Sequence, residues 1–157
     1  MIKVGESLPE HTFQLLNAEG MQSPTTSELF AGKKVVLFAV PGAFTPTCSA
    51  AHLPSYVVQF DALKDKGVDA VICTAVNDAF VMKAWGDSTN AENLLMLGDG
   101  DGGFAKAIGM AVDTASFGGI RSQRYSMIVD DGTVTAINLD EPMQYEVSGA
   151  ETVLEQL

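Results

Sequence analysis

Two predominantly apolar runs of strand length constrain this chain more than any other feature. Lys34 to Val40 (Lys-Val-Val-Leu-Phe-Ala-Val) and Val68 to Val76 (Val-Asp-Ala-Val-Ile-Cys-Thr-Ala-Val) are apolar on both faces, the pattern of central buried strands. Ser49 to Lys66 between them has helical periodicity, so the three segments read as strand, crossover helix and parallel strand. Pro54 inside that helix is expected to kink it without ending it, because the apolar pattern resumes at Tyr56, Val57 and Phe60. Downstream, Asn77-Asp78 can cap a second helix through Trp85, Leu94 to Leu97 reads as a short strand, and Gly103 to Ile108 as a short helix. Tyr125 to Val129 and Thr133 to Asn138 flank Asp131-Gly132, whose residues tolerate the positive φ angles of a tight hairpin turn. Ser148 to Glu151 has capping-box spacing ahead of a C-terminal helix, and Phe13 to Leu16 followed by Asn17-Ala18-Glu19-Gly20 suggests a hairpin arm near the N-terminus. The expectation is one α/β domain over residues 1–157, with a central mixed sheet flanked by helices and an N-terminal hairpin extension.

Composition narrows the classes of function. Nine Lys and Arg face 20 Asp and Glu, a net charge of −11, which repels phosphate backbones and anionic headgroups. Neither nucleic acid nor a membrane surface is an expected partner. The N-terminal Met-Ile-Lys-Val-Gly-Glu-Ser has no basic segment followed by an apolar one, so cytoplasmic synthesis is expected. Two histidines and two separated cysteines offer no zinc spacing and no Cys-x-x-Cys pair. Gly98 to Gly103, with its two aspartates, lacks the ligand spacing of a calcium loop and the Lys of a phosphate loop, and reads as a turn and helix cap. No metal or organic cofactor is expected.

The chemistry concentrates where the first buried strand meets the crossover helix, a position at which open α/β sheets present their ligands. Thr45 is a natural N-cap and Pro46 suits the first helical position, which puts Cys48 in the first turn. Unpaired amides and the positive helix end there favour a thiolate, a nucleophile. The alternative is a small buried residue filling the start of a helix. His52, four residues on, could share a helical face with Cys48 as in a cysteine hydrolase; the reading preferred is a helix residue near the pocket rim. Cys73, within the second strand, is expected to be buried and inert.

Pro41, Thr45 and Cys48 form Pro-x-x-x-Thr-x-x-Cys, which resembles the active-site signature of peroxiredoxins, and the longer Pro-Gly-Ala-Phe-Thr-Pro-Thr-Cys-Ser resembles the type-five subfamily. Val76 to Val81, Lys83-Ala84-Trp85 and Arg121 to Met127 agree in the same order. The resemblance implies a thioredoxin-like fold and a thiol-dependent peroxidase acting on hydrogen peroxide and alkyl hydroperoxides. Cys48 would become a sulfenic acid, Thr45 would hydrogen-bond peroxide and thiolate, Pro41 would shield the sulfur, and Arg124 would be the active-site arginine. Without the motif, Arg124 would read as a surface ion-pairing residue; Arg121, in a flexible-looking loop, is left outside the site. Animal members carry a resolving cysteine in the C-terminal segment, and Tyr145 to Ala150 has none. The chain therefore resembles bacterial and plant members that rely on an external thiol, glutathione with glutaredoxin first and thioredoxin second. A homodimer through Phe44, Phe80 and Phe117 is also implied. The alternatives are a peroxide sensor that switches a partner contact and a structural protein with a vestigial site.

Overall fold

The computed structural model describes residues 1–157, and its central sheet follows the alternation of apolar runs. Strands β1 (Leu15–Asn17) and β2 (Gly20–Gln22) form the N-terminal hairpin and are followed by the short helix α1 (Thr26–Phe30). Then come β3 (Lys34–Ala39), a π-turn (Cys48–His52), α2 (Leu53–Val58), α3 (Phe60–Asp65) and β4 (Ala70–Ala75). Helix α4 (Ala79–Ser88), β5 (Leu95–Gly98), α5 (Gly103–Ala107), β6 (Ala111–Asp113) and β7 (Ile120–Ser122) lead to the hairpin of β8 (Tyr125–Asp130) and β9 (Thr133–Leu139), and α6 (Ala150–Gln156) closes the chain. The main sheet has the order β5-β4-β3-β8-β9, the first three strands parallel and the last two antiparallel to their neighbours. This is a thioredoxin-like mixed sheet with helices on both faces.

Strand alternation builds a core on each face. Val36, Phe38 and Val40 pack with Val71, Cys73 and Ala75 under Leu53, Tyr56, Leu63, Met82, Trp85 and Val153 from the helices of that side. Val35, Leu37 and Ala39 turn the other way, onto Phe13, Phe30, Phe104 and Met110. Register fixes the place that matters most. Ala39 at the end of β3 lies beside Tyr125 at the start of β8, so the chain leaving β3 passes the residue that precedes β8, Arg124.

Turn and cap chemistry largely follows the sequence. Asp131 and Gly132 have φ of 50° and 80°, as a two-residue hairpin turn requires. Asp78 caps α4 through Val81 N (2.9 Å), and Asp99 accepts from Phe104 N and Ala105 N (3.0 Å each) at the head of α5. Two expectations need correction. The crossover helix is not one kinked helix: Leu53 N reaches back to Cys48 O across a π-turn just before Pro54, which has no N–H to give, and a second break falls at Gln59. Ser148 does not cap α6; Gly149 is its N-cap, with no side-chain bond, and the Ser148 side chain is turned to donate to Asp140. Helix α1, with its Thr25/Glu28 capping box, and the β6/β7 hairpin were not anticipated.

Gly98 shows how closely β5 approaches the head of α4. A Cβ there would lie 2.8 Å from Ala79 N and 3.0 Å from Asn77 O, both backbone atoms with no room to yield. Gly98→Ala should therefore lower the unfolding free energy by about 2 kcal/mol, the usual scale of overpacking, measured by urea denaturation.

Candidate active site

Beyond β3 the chain makes a tight loop. Phe44 has φ of 63°, Ala43 N donates to Asn77 Oδ1 (2.9 Å), and the Thr45 hydroxyl donates to Gly42 O (2.7 Å). Helical bonding starts with Ser49 N to Thr45 O (3.0 Å), which places Pro46, Thr47 and Cys48 among the leading residues whose amides a helix leaves unpaired. Cys48 is fully buried in the helix-side core. Trp85 Nε1 ties the turn to α4 by donating to Ser49 Oγ (2.9 Å).

Arg124 reaches this turn from 76 residues away in sequence, and its Nη2 donates to Cys48 Sγ at 3.1 Å. Its Nη1 lies 2.8 Å from His52 Nδ1, and His52 Nε2 lies 3.0 Å from Ser148 O. A guanidinium can only donate and a carbonyl can only accept. The imidazole must therefore be neutral, with its proton on Nε2 and its Nδ1 lone pair given to Arg124. Burial, reinforced by the nearby Arg124 charge, pushes the His52 pKa down to about 3, in agreement with the bonding. Tyr56 OH also donates to Ser148 O (2.6 Å). The Tyr145 ring covers the group, 5.9 Å from the Arg124 guanidinium carbon and 5.1 Å from the imidazole.

The structure's ion pairs are His11–Asp99 and Lys83–Asp87. Arg124 thus has no carboxylate within 4 Å, and its positive charge is directed at the sulfur without being cancelled. Such an arrangement stabilises an anionic, nucleophilic sulfur and any negative charge that develops beside it.

The sequence-selected residues fare differently. Cys48 and Arg124 are in contact. Pro41 is half-buried directly beyond β3. Thr45 is at the loop's end as expected, but its hydroxyl is turned to the Gly42 carbonyl and neither caps the helix nor bonds Cys48. His52 is not at the pocket rim. It is fully buried, 5.0 Å from the Phe38 ring, and its only lone pair is committed to Arg124, which leaves it unable to act as a base toward Cys48. Arg121, left aside as a solvated side chain, instead spans loops: Nε donates to Gly118 O (3.0 Å) and Nη1 to Val76 O (3.4 Å). Cys73 is buried in β4, its thiol pushed well up by burial and by the nearby Cys48. Ser148, read only as a helix cap, Tyr56, read only as part of a helix's apolar pattern, and Tyr145 escaped as site residues, since no spacing links them to Cys48 or Arg124. No group of three or more His, Cys, Asp or Glu side chains is placed to hold a metal ion.

The Redoxin family model matches residues 3–154. Peroxiredoxin-2C of Oryza sativa subsp. japonica is 44% identical over 159 residues, covering 99% of this chain and 98% of that one. Peroxiredoxin-2B of Arabidopsis thaliana is 42% identical over 160 residues, with the same coverage. Among solved structures, reduced Prx3 of Vibrio vulnificus in complex with hydrogen peroxide superposes with a TM-score of 0.97 at 60% identity, covering 99% of both chains. Peroxiredoxin 5 of Alvinella pompejana superposes with a TM-score of 0.86 at 32% identity, over 99% and 97% of the two chains.

A buried neutral histidine makes stability depend on pH. The unfolded chain takes up this proton below about pH 6.5, whereas the folded protein resists it down to about 3, so stability is lost as pH falls through that window. Lowering pH from 7 to 5 should cost the parent about 2 kcal/mol more than it costs His52→Gln, measured as the difference between their denaturation midpoints across pH.

Proposed function

The chain belongs to the redoxin family and is a peroxiredoxin, a thiol-dependent peroxidase, and we propose that it reduces hydrogen peroxide and alkyl hydroperoxides through a sulfenic acid on Cys48. The observation that carries this reading is the guanidinium of Arg124 at 3.1 Å from the Cys48 sulfur, free of any carboxylate. The Cys48 thiolate attacks the terminal peroxide oxygen and forms an S–O bond as the O–O bond breaks. The electron pair of that bond leaves with the distal oxygen, which takes a proton and departs as water or an alcohol, so sulfur is oxidised by two electrons and the peroxide reduced by two. Arg124 holds charge on the attacking sulfur and on the peroxide oxygens in line with it. Thr45 turns its hydroxyl from Gly42 O to the incoming peroxide, and Pro41 keeps water from the sulfur.

An external thiol then attacks the sulfenic sulfur, water leaves as a mixed disulfide forms, and a second thiol releases Cys48. Glutathione with glutaredoxin is the preferred donor and thioredoxin the second. Support comes from the cysteines: both are free, and Cys73 is locked inside a central strand. The assignment to the bacterial and plant branch of the type-five subfamily rests on the same absence of a cysteine between Tyr145 and Ala150. The cytosol, whose thiol pool is kept reduced, is the proposed place of action. Phe44, Phe80 and Phe117, 56%, 64% and 85% exposed, supply the apolar surface of the proposed homodimer.

Steady-state peroxide consumption with glutathione and glutaredoxin tests the reading. Cys48→Ser should abolish turnover, Cys73→Ser should retain most of it, and Arg124→Gln should slow Cys48 oxidation on the order of a hundred-fold, as loss of a transition-state donor does. Consumption that stops after one equivalent would instead identify a sensor. In sedimentation at micromolar protein the parent should run as a dimer and Phe117→Glu as a monomer, while a monomeric parent would end the dimer proposal.

A further inference from the structure

Asp140, directly after β9, is buried, 5% exposed, and has no cationic partner within ion-pair distance. Its carboxylate is satisfied by its own loop: Oδ1 accepts from Glu146 N and Val147 N (2.8 Å each), and Oδ2 accepts a short bond from the Ser148 hydroxyl. Removing such a charge from water is costly, and three charge-assisted hydrogen bonds offset that cost. The bonds continue in both directions. Asp140 N donates to the backbone carbonyl of Arg124 (3.0 Å). Ser148 O accepts from His52 Nε2, and His52 Nδ1 accepts from Arg124 Nη1. Arg124, Asp140, Ser148 and His52 therefore close a ring of hydrogen bonds that holds Arg124 at its backbone and at its guanidinium, leaving Nη2 for the Cys48 sulfur.

We propose that Asp140 and Ser148 are positioning residues for Arg124: the Asp140 carboxylate sets the loop of residues 140–148 so that the Ser148 carbonyl orients His52, and His52 aims the guanidinium at Cys48. The proposal rests on the peroxidase reading. Neither residue touches the reacting atoms, and both act through the direction of one Arg124 N–H. A misplacement of about 1 Å can cost roughly a hundred-fold in rate, so the ring need slip only slightly to be felt.

The test uses the full chain. Cys48 oxidation by hydrogen peroxide is followed in stopped flow through Trp85, the single tryptophan, which bonds the Cys48 turn through Ser49. Ser148→Ala and Asp140→Asn should each lower the second-order rate constant by roughly ten-fold or more. Both should also reduce the ultraviolet thiolate absorbance at neutral pH, taken against Cys48→Ser. The same substitutions placed in Arg124→Gln should change its rate by less than about two-fold. Equal rates and thiolate absorbance in parent and folded Ser148→Ala would overturn the proposal, as would an effect that persists in full without Arg124. Ser148→Ala decides the matter should Asp140→Asn fail to fold. A parent whose Cys48 is not oxidised by peroxide would instead refute the peroxidase reading itself.

Discussion

An arginine that is held without being neutralised is the constraint on which the rest of the structure turns. Arginine in a protein with 20 carboxylates ordinarily finds one of them. A carboxylate against Arg124 would orient it equally well but would cancel the field it exerts on Cys48. The protein uses a neutral imidazole instead. His52 accepts a hydrogen bond from Arg124, contributes no charge, and stays neutral because it is buried beside a cation. The Tyr145 ring adds attraction through its π face, again without a formal charge.

The sheet brings these groups together. β3 and β4 run parallel, so Pro41 and the Cys48 turn emerge at the same end as the loop after β4, and the Ala43 amide is held there by Asn77. β8 runs antiparallel to β3, and only this direction puts the residue before β8 beside the residue after β3. A parallel strand in that position would carry Arg124 to the opposite end of the strands, beside the start of β3. The Asp131-Gly132 turn at the opposite end returns the chain as β9, which delivers Asp140 next to Arg124.

Much of this was legible because it is local. Runs of β-branched and aromatic residues mark strands buried on both faces, Asp-Gly marks a turn that needs two positive φ angles, and Asp78 stands where a helix needs a cap. What escaped depends on tertiary competition. Ser148 matches a capping box, but the buried Asp140 carboxylate holds its side chain away from the helix end, which begins one residue later at Gly149. The Thr45 hydroxyl likewise has a nearer carbonyl in Gly42. His52 does share a face with Cys48, since both bond the Arg124 guanidinium; it was misplaced because spacing does not tell whether that face is covered, and here Phe38 and the Ser148 carbonyl bury it. Cys48 and Arg124 were identifiable by resemblance to a known motif, whereas no periodicity or propensity connects residues 76 apart.

The proposed chemistry places opposite demands on one sulfur. A peroxide is small and reacts best where water is excluded and donors are fixed, which suits a Cys48 with no exposed surface. A thiol carried on a peptide or a protein cannot enter such a place, so the mixed disulfide requires the turn to move outward. The local structure offers the proposed movement a place to start. The turn is π-bonded, follows a non-glycine residue in the left-handed region at Phe44, and is interrupted by a proline on its C-terminal side. Its polar fastenings are Trp85 to Ser49, Arg124 to Cys48, and His52 between Arg124 and the Ser148 carbonyl. Oxidation itself acts on the second of these, because a sulfenic acid is neutral and larger than a thiolate and holds a guanidinium less strongly. The strands beneath share no backbone bond with the turn's own residues, so on the proposed reading the sheet that positions Arg124 stays intact while Cys48 meets its reductant.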